Sequence, residues 1–569
     1  MTPWLHSSRY RAELRIEKMD HAGCLSPSSA APSDAAALAA VCGDLLPPAS
    51  FTSLQATAEK TAIGKQAFTA YLPPTAKQFK GARRMLALAI SSLIYLLECT
   101  VTIVVFLLTV PALLIVLPTF KLGNCIFERY ISYKRKCIPL RGDDAVWQQD
   151  RPTNRHIIHA LMVVEGKPDI AKLREIIQER LVYGQDEKGK RICPRMTQVI
   201  QNHLGYFVWK EDKSFSMEKH VLNWEGNLPK TLDDVEETIA EICPNPLPEN
   251  LSPWQFLVFP VLEEDCFGLL LRIHHSVADG VALTRVFVRN LYDVPPIAPE
   301  PKKFTTKQRF YMWCKALVVG PFFVLTKFFS KADSSKIHGQ DLCGTKVVAW
   351  SKNVDLSLVK RVKNITSSTI NDVMVSCLAG ALHDYLKGAQ NTDVVNLEDM
   401  WASVPVDIRA SSKSVKLKNK FALVFPRLPI VADNAVDRLL ATKQRMDSMK
   451  TSAEPWITAV TVQLMMLLPD CVSKRLIDFF AQKVSCVISN VPGPPHLLYL
   501  GGQKVVQGIF WVPKRANVGV GFSIFSYAGG IRVGVYSDEC VIPNPREVVK
   551  GFERNFWQLV KELNINENV

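Results

Sequence analysis

From Met85 to Phe120 the chain carries a single charged residue, Glu98. As one helix this stretch would run about 54 Å at 1.5 Å per residue, far beyond a hydrocarbon core of about 30 Å. Pro111 and Pro118 interrupt it. A proline inside a helix removes a hydrogen bond and clashes with the preceding turn, so one straight helix is disfavoured. Both flanks are basic: Lys77, Lys80, Arg83 and Arg84 precede the stretch, and Lys121, Arg129, Lys134, Arg135 and Lys136 follow it. Basic residues favour the cytosolic side. Two basic flanks suit a hairpin that enters and leaves one leaflet, and a single pass from about Cys99 to Leu117 also fits. A buried core helix is the alternative, but the uncharged run after Glu98 exceeds the threshold of about 18 residues for a span. Residues 77–124 therefore read as a membrane anchor, preceded by a flexible Ser/Ala/Pro-containing tail, 1–76. That tail has no charged region followed by an apolar core, as a signal peptide would.

The rest of the chain has the composition of folded protein. Over all 569 residues, 48% are hydrophobic and 21% charged, which argues against global disorder. The net charge of +14 suits an anionic membrane surface or phosphate-bearing ligands. No compact Lys/Arg block with interleaved aromatics is present, so nucleic acid is not an expected partner. The 14 cysteines contain no CxxC pair, which leaves zinc ribbons and thioredoxin-like sites unsupported. They are too sparse for a disulfide scaffold and fit a reducing cytosol.

After residue 124 strands and helices alternate. Ile157 to Val164 reads as a strand and Pro168 to Val182 as a helix. Trp254 to Leu262 and Cys266 to Ile273 form a hairpin around Glu264 and Asp265, and Val281 to Leu291 is helical. The Pro-rich stretch Val294 to Lys303 marks a boundary. Phe310 to Phe329 follows, with aromatics and Lys315 and Lys327. It reads equally as an interfacial helix with snorkelling lysines or as a buried linker. A second block begins near Lys346, with a helix from about Ile370 and strands ending near Arg409, Phe425, Ile488 and Tyr527. The fold class is thus α/β and two-lobed, with lobes at 125–300 and 346–569 joined by a linker at 301–345.

The chemistry concentrates in His274-His275-Ser276-Val277-Ala278-Asp279-Gly280, where a strand ends and a helix begins. Strand side chains alternate faces, so one histidine faces a channel and the other packs. An imidazole with an ordinary pKa near 6.5 takes a proton from an alcohol at neutral pH. Asp279 holds the loop or pairs with an arginine, Arg409 being a candidate for a bidentate pair, and Gly280 permits the turn. Three metal ligands so closely spaced converge poorly on one ion, so no metal is expected.

With its second histidine and its glycine, this stretch resembles the HHxxxDG motif of the wax ester synthase/diacylglycerol acyltransferase family. That family belongs to the CoA-dependent acyltransferase superfamily of chloramphenicol acetyltransferase-like folds. Asn250 to Trp254 (NLSPW) resembles the family's Pro-Leu-Trp element, with a departure at Ser252-Pro253-Trp254. Asn371-Asp372-Val373, Val404 to Arg409 (VPVDIR), Ser489 to Pro494 (SNVPGP) and Val518 to Tyr527 (VGVGFSIFSY) resemble its later elements. The likeness runs from about Lys134 to the C-terminus and leaves the tail and anchor outside.

The resemblance implies that His275 is the general base, with His274, Asp279 and Gly280 completing the motif. It implies transfer of a long acyl chain from acyl-CoA to a fatty alcohol or to diacylglycerol by direct attack, with acyl-CoA as co-substrate and no cofactor. An oxyanion needs donors. Asn371 and Ser526 are candidates, although Asn371 also suits a helix cap and Ser526 a plain strand position. Pro253 and Trp254 are candidate substrate-channel residues or core. The lysine loop with Lys413, Lys416, Lys418 and Lys420 suits CoA phosphate, lipid headgroup or simply solvent. Expected partners are acyl-CoA, the lipid acceptor and the bilayer. Expected location is the endoplasmic reticulum membrane or lipid-droplet surface, with the catalytic lobes cytosolic. A peptide-condensation domain shares HHxxxDG, and an inactive lipid-binding scaffold is the non-enzymatic alternative.

Overall fold

The computed structural model describes residues 82–203, 206–294, 305–388, 397–409, 416–432 and 434–566. The tail 1–76, Lys413 and most of the Pro-rich boundary lie outside these. Contacts divide the chain into two units, residues 1–104 with 364–367, and the remainder.

Helix Ala82–Arg135 runs unbroken for 54 residues with Pro111 and Pro118 inside it. The sequence leaves a hairpin and a single pass open; here the region is one continuous helix, which overruns the anticipated boundary at 124. Each proline removes only its own N–H from the ladder, and the ladder on either side persists. Leu107, Leu108, Leu114 and Ile115 are exposed along it. Past the apolar stretch the helix docks on the folded body. Phe127 packs on Tyr206 at 4.4 Å. Asn124 accepts from the Tyr206 hydroxyl (2.7 Å) and donates to the Leu467 carbonyl (3.0 Å). Among the described residues, Leu96–Arg135 and Phe310–Phe329 are the helices long and apolar enough to cross a membrane.

The second unit is built on two main sheets. The first has the strand order Leu498–Leu500, Gln503–Trp511, Ile157–Glu165, Cys266–His274, Trp254–Val261 and Val221–Asn223. Its central strands are apolar on both faces and buried, as expected where both faces are covered. The second sheet runs Phe421–Val424, Met400–Asp407, Cys486–Pro492, Val520–Tyr527, Gly530–Asp538 and Lys346–Trp350. Helices Ile370–Gly388 and Pro545–Glu562 supply much of the core against it. The lobe boundary read from the sequence needs one amendment. Residues 498–511 leave the C-terminal half and complete the N-terminal sheet, pairing Ile509 with Leu161 and Trp511 with His159.

This topology positions the site. Strand Cys266–His274 ends with His274 opposite Ile157. Met400–Asp407 and Cys486–Pro492 are parallel neighbours, so their C-terminal ends open together, a common place for ligand sites in α/β sheets.

Candidate active site

The C-terminal ends of those two strands, the start of helix Gly280–Asn290 and helices Thr306–Phe329, Glu454–Met465 and Asp470–Ala481 enclose a cavity of about 210 Å³. Its lining is mostly apolar, including Phe323, Val462, Met465 and Phe480, and His275 forms part of it.

The two adjacent histidines separate as strand alternation requires. His274 is buried and packs inward. Its Nδ1 lies 2.7 Å from Ser276 Oγ, and its Nε2 lies 3.4 Å from Asp150. Both nitrogens therefore have partners away from the cavity. His275 leaves the strand with its backbone N–H donated to the His156 carbonyl (2.7 Å), and its ring lines the cavity.

A network fixes the His275 tautomer. Asn419 Nδ2 donates to Asp144 Oδ1 (2.9 Å) and to the His275 carbonyl (2.8 Å). The amide oxygen of Asn419 must then accept, and His275 Nδ1 lies 3.0 Å from it. The proton sits on Nδ1, and Nε2 keeps its lone pair. Trp147 stacks on the imidazole at 3.7 Å and 23°, a contact of about 0.5–1.5 kcal/mol that holds the ring plane. Asp144 is itself gripped by Arg195 Nη2 (2.5 Å), whose Nη1 donates to the Val277 carbonyl (2.6 Å). Asn419, Asp144, Arg195 and Trp147 were not singled out from the sequence. Asn419 had a local signal: in Lys416-Leu417-Lys418-Asn419-Lys420 the lysines are exposed while Leu417 and Asn419 are buried, an alternation of period two.

Burial of the ring holds the His275 pKa down at about 3, because desolvation disfavours the cation. The imidazole is neutral across the physiological range. Nearby, burial and the adjacent Asp144 push the Asp143 carboxyl up to about 6. Two consequences follow for kcat/KM, which reports the free enzyme. No acid limb at the ordinary histidine value of 6.5 is expected from His275, and activity persists toward pH 5. An inflexion remaining near pH 6 should disappear in Asp143→Asn. A limb near 6.5 that survives Asp143→Asn would contradict the buried, neutral imidazole.

Asp279 is a structural hub. Its Oδ1 accepts from Ala282 N–H (2.9 Å) and caps helix Gly280–Asn290. Its Oδ2 accepts from Arg409 Nη2 (2.6 Å) and from Lys420 N–H (2.8 Å). The expected pairing with Arg409 exists but is not bidentate. The guanidinium divides between Asp279 and Asp407, with Nη1 2.9 Å from Asp407.

Several other expectations are corrected. Gly280 lines the cavity but does not adopt a positive φ; an added Cβ would meet Val491 Cγ2 at 3.4 Å. Asn371 is not a helix cap. Thr369 takes that place, its Oγ1 accepting from Asp372 N–H at 3.2 Å. Asn371 Oδ1 accepts from Asn490 Nδ2 (3.1 Å), and it is Asn490 that lines the cavity. Ser526 likewise stands back from the lining, its hydroxyl accepting at 3.3 Å from Gly493 N–H, just past the end of the neighbouring strand Cys486–Pro492. As oxyanion donors, both are displaced by one layer. Trp254 is core, fully buried with Nε1 donating to the Met196 carbonyl (2.9 Å) and its ring stacked on His220. Pro253 holds the motif through its carbonyl, which accepts from His274 N–H (2.9 Å). Neither reaches the cavity. Lys420 does, whereas Lys418 contributes its carbonyl to Arg409 (2.6 Å).

Comparison with known proteins fits this geometry. The model of the wax ester synthase/diacylglycerol acyltransferase catalytic domain matches residues 141–317, and that of the WS/DGAT C-terminal domain matches residues 417–560. A probable diacylglycerol O-acyltransferase of Mycobacterium tuberculosis is 24% identical over 464 residues, covering 73% of this chain and 94% of the relative. A second, putative diacylglycerol O-acyltransferase of that organism is 22% identical over 465 residues, with 74% and 95% coverage. Among solved structures, the wax ester synthase/diacylglycerol acyltransferase from Marinobacter aquaeolei VT8 superposes with a TM-score of 0.56 at 18% identity, covering 75% of this chain and 100% of that one. The trichothecene 15-O-acetyltransferase from Fusarium sporotrichioides gives 0.51 at 10% identity, with 74% and 94% coverage. Both structures share the two-lobed fold.

Proposed function

The chain belongs to the wax ester synthase/diacylglycerol acyltransferase family, and we propose that it moves a long acyl chain from acyl-CoA to the hydroxyl of diacylglycerol or a fatty alcohol. The observation that carries this reading is the His275 ring, neutral, with Nδ1 occupied by Asn419 and Nε2 unprotonated, lining an apolar cavity. In the proposed reaction the acceptor hydroxyl gives its proton to Nε2 as its oxygen attacks the thioester carbonyl. The tetrahedral intermediate expels CoA thiolate, which recovers the proton from His275. No acyl-enzyme forms and no cofactor takes part. Removing the hydroxyl proton during attack contributes about 10²–10⁴-fold. Charge on the carbonyl oxygen needs donors at the cavity wall, and Asn490, held by Asn371, is placed to assist. The exposed Lys416, Lys418 and Lys420 suit the phosphates of CoA.

The acceptors partition into bilayers, and two features support membrane attachment. Helix Ala82–Arg135 presents an exposed apolar surface long enough to span. Helix Thr306–Phe329 exposes Phe310, Tyr311, Trp313 and Phe329, while Ala316 and Phe323 pack on Ile457 of helix Glu454–Met465. One apolar side docked and one exposed is the pattern of a helix lying in the interface. Because acyl-CoA is the donor, the reading keeps the lobes cytosolic, at the endoplasmic reticulum or a lipid droplet. The test is expression in cells that lack storage lipids, followed by lipid mass spectrometry. Triacylglycerol or wax ester should accumulate with the wild-type chain. Accumulation of neither, with the protein present in membranes, would contradict the assignment.

A further inference from the structure

The cavity that His275 lines also receives Lys327 from helix Thr306–Phe329, an unusual lining residue in an apolar chamber. Its ammonium sits 4.0 Å from the centroid of the Trp401 ring, 5.7 Å from Phe425 and 5.8 Å from Phe323. Among the described residues it makes no hydrogen bond and no ion pair. Its nearest carboxylates, Glu454 and Asp333, act only through space, and both have other work. Glu454 accepts from Phe425 N–H (2.8 Å), and Asp333 accepts from Trp401 N–H and Ser485 Oγ (both 2.7 Å). Of the other cations of the lining, Arg409 pairs with Asp279 and Asp407, Arg515 pairs with Asp478, and Lys420 lies within electrostatic reach of Asp143. Aromatic faces attract an ammonium but do not satisfy its three N–H donors. A half-buried ammonium with no protein acceptor among the described residues is open to one carried by a ligand in the cavity.

The chamber thus has a proton acceptor in one wall, a cation in another and apolar surface between. A plain fatty alcohol uses only the first. A phosphate monoester would bring up to two charges where Lys327 offers one. A carboxylate supplies one countercharge and two acceptor oxygens. We propose that the cavity accepts a hydroxy fatty acid as acyl acceptor, its carboxylate held by Lys327 and its hydroxyl presented to His275. This rests on the reading of His275 as the base. The hydroxyl oxygen forms the new C–O bond as its proton passes to His275 Nε2. The thioester C–S bond breaks, and the CoA thiolate takes that proton. The carboxylate is unchanged, and the product is an ester that still carries a free acid. Lys327 is the residue that determines this specificity.

The experiment uses the full chain in membranes with acyl-CoA and three acceptors: ω-hydroxy fatty acids over a series of chain lengths, their methyl esters, and plain alcohols of matching length. Wild type should favour the acid over its methyl ester by at least about tenfold in kcat/KM, with an optimum chain length. Lys327→Met should erase that preference while still turning over the methyl ester, which shows that the variant is folded. Lys327→Arg should retain it. Equal use of acid and methyl ester by wild type, or an unchanged preference in Lys327→Met, would overturn the proposal and leave the His275 reading intact. An acid that inhibits without being esterified would overturn it as well. No turnover of any acceptor would overturn both readings.

Discussion

Replacing His275 with alanine is expected to lower ester formation from acyl-CoA by about 10²–10⁴-fold. The variant should fold, because the lost ring faces a cavity and its Asn419 partner keeps its bonds to Asp144 and to the residue-275 carbonyl. The comparison that isolates proton transfer is Asn419→Leu. It leaves the imidazole in place but removes the acceptor that sets its tautomer, so kcat should fall with little change in KM. His275→Ala with unimpaired turnover would remove the base assignment. A large loss in His275→Ala with none in Asn419→Leu would mean that Trp147 stacking alone orients the ring.

The second large effect concerns stability. Asp279→Ala leaves Arg409 with Asp407 as its one carboxylate partner among the described residues, takes the cap from helix Gly280–Asn290 and frees Lys420 N–H. Both partners of the Asp279–Arg409 pair are about nine-tenths buried by side chain. Removing one partner of a buried pair costs about 3–5 kcal/mol, and a lost cap about 1 kcal/mol. A marked fall in the unfolding midpoint is expected, together with loss of activity as the motif loop slackens. Asp279→Asn, which keeps an acceptor for the cap, should fall less. An Asp279→Ala protein that is fully stable yet inactive would instead put the carboxylate in contact with substrate.

Local patterns carried much of this architecture. The paired histidines at a strand end, with strand alternation, were enough to send one ring inward and one to a channel, and the structure separates His274 and His275 in that way. The alternating strands from Ile157 onward were legible for the same reason. What pairs across long sequence distances was not. Asn419 meets His275 from 144 residues away, and strand Gln503–Trp511 joins a sheet whose other long strands lie more than 200 residues earlier. The prolines of helix Ala82–Arg135 misled because an apolar helix tolerates single lost bonds that a short soluble helix would not. Trp254 was legible as apolar but not as core rather than channel. That depended on His220 and Met196, which only the folded chain brings to it.

The central claim is direct transfer at a neutral imidazole, and a single-turnover experiment tests it most closely. Protein in excess over labelled acyl-CoA is followed with and without diacylglycerol or fatty alcohol, reading free CoA, ester product and intact protein mass. CoA release should require acceptor, should match ester formed one for one, and should leave the protein mass unchanged. Acylated protein that appears and decays at the rate of turnover, or CoA released at that rate without any acceptor, would contradict the account.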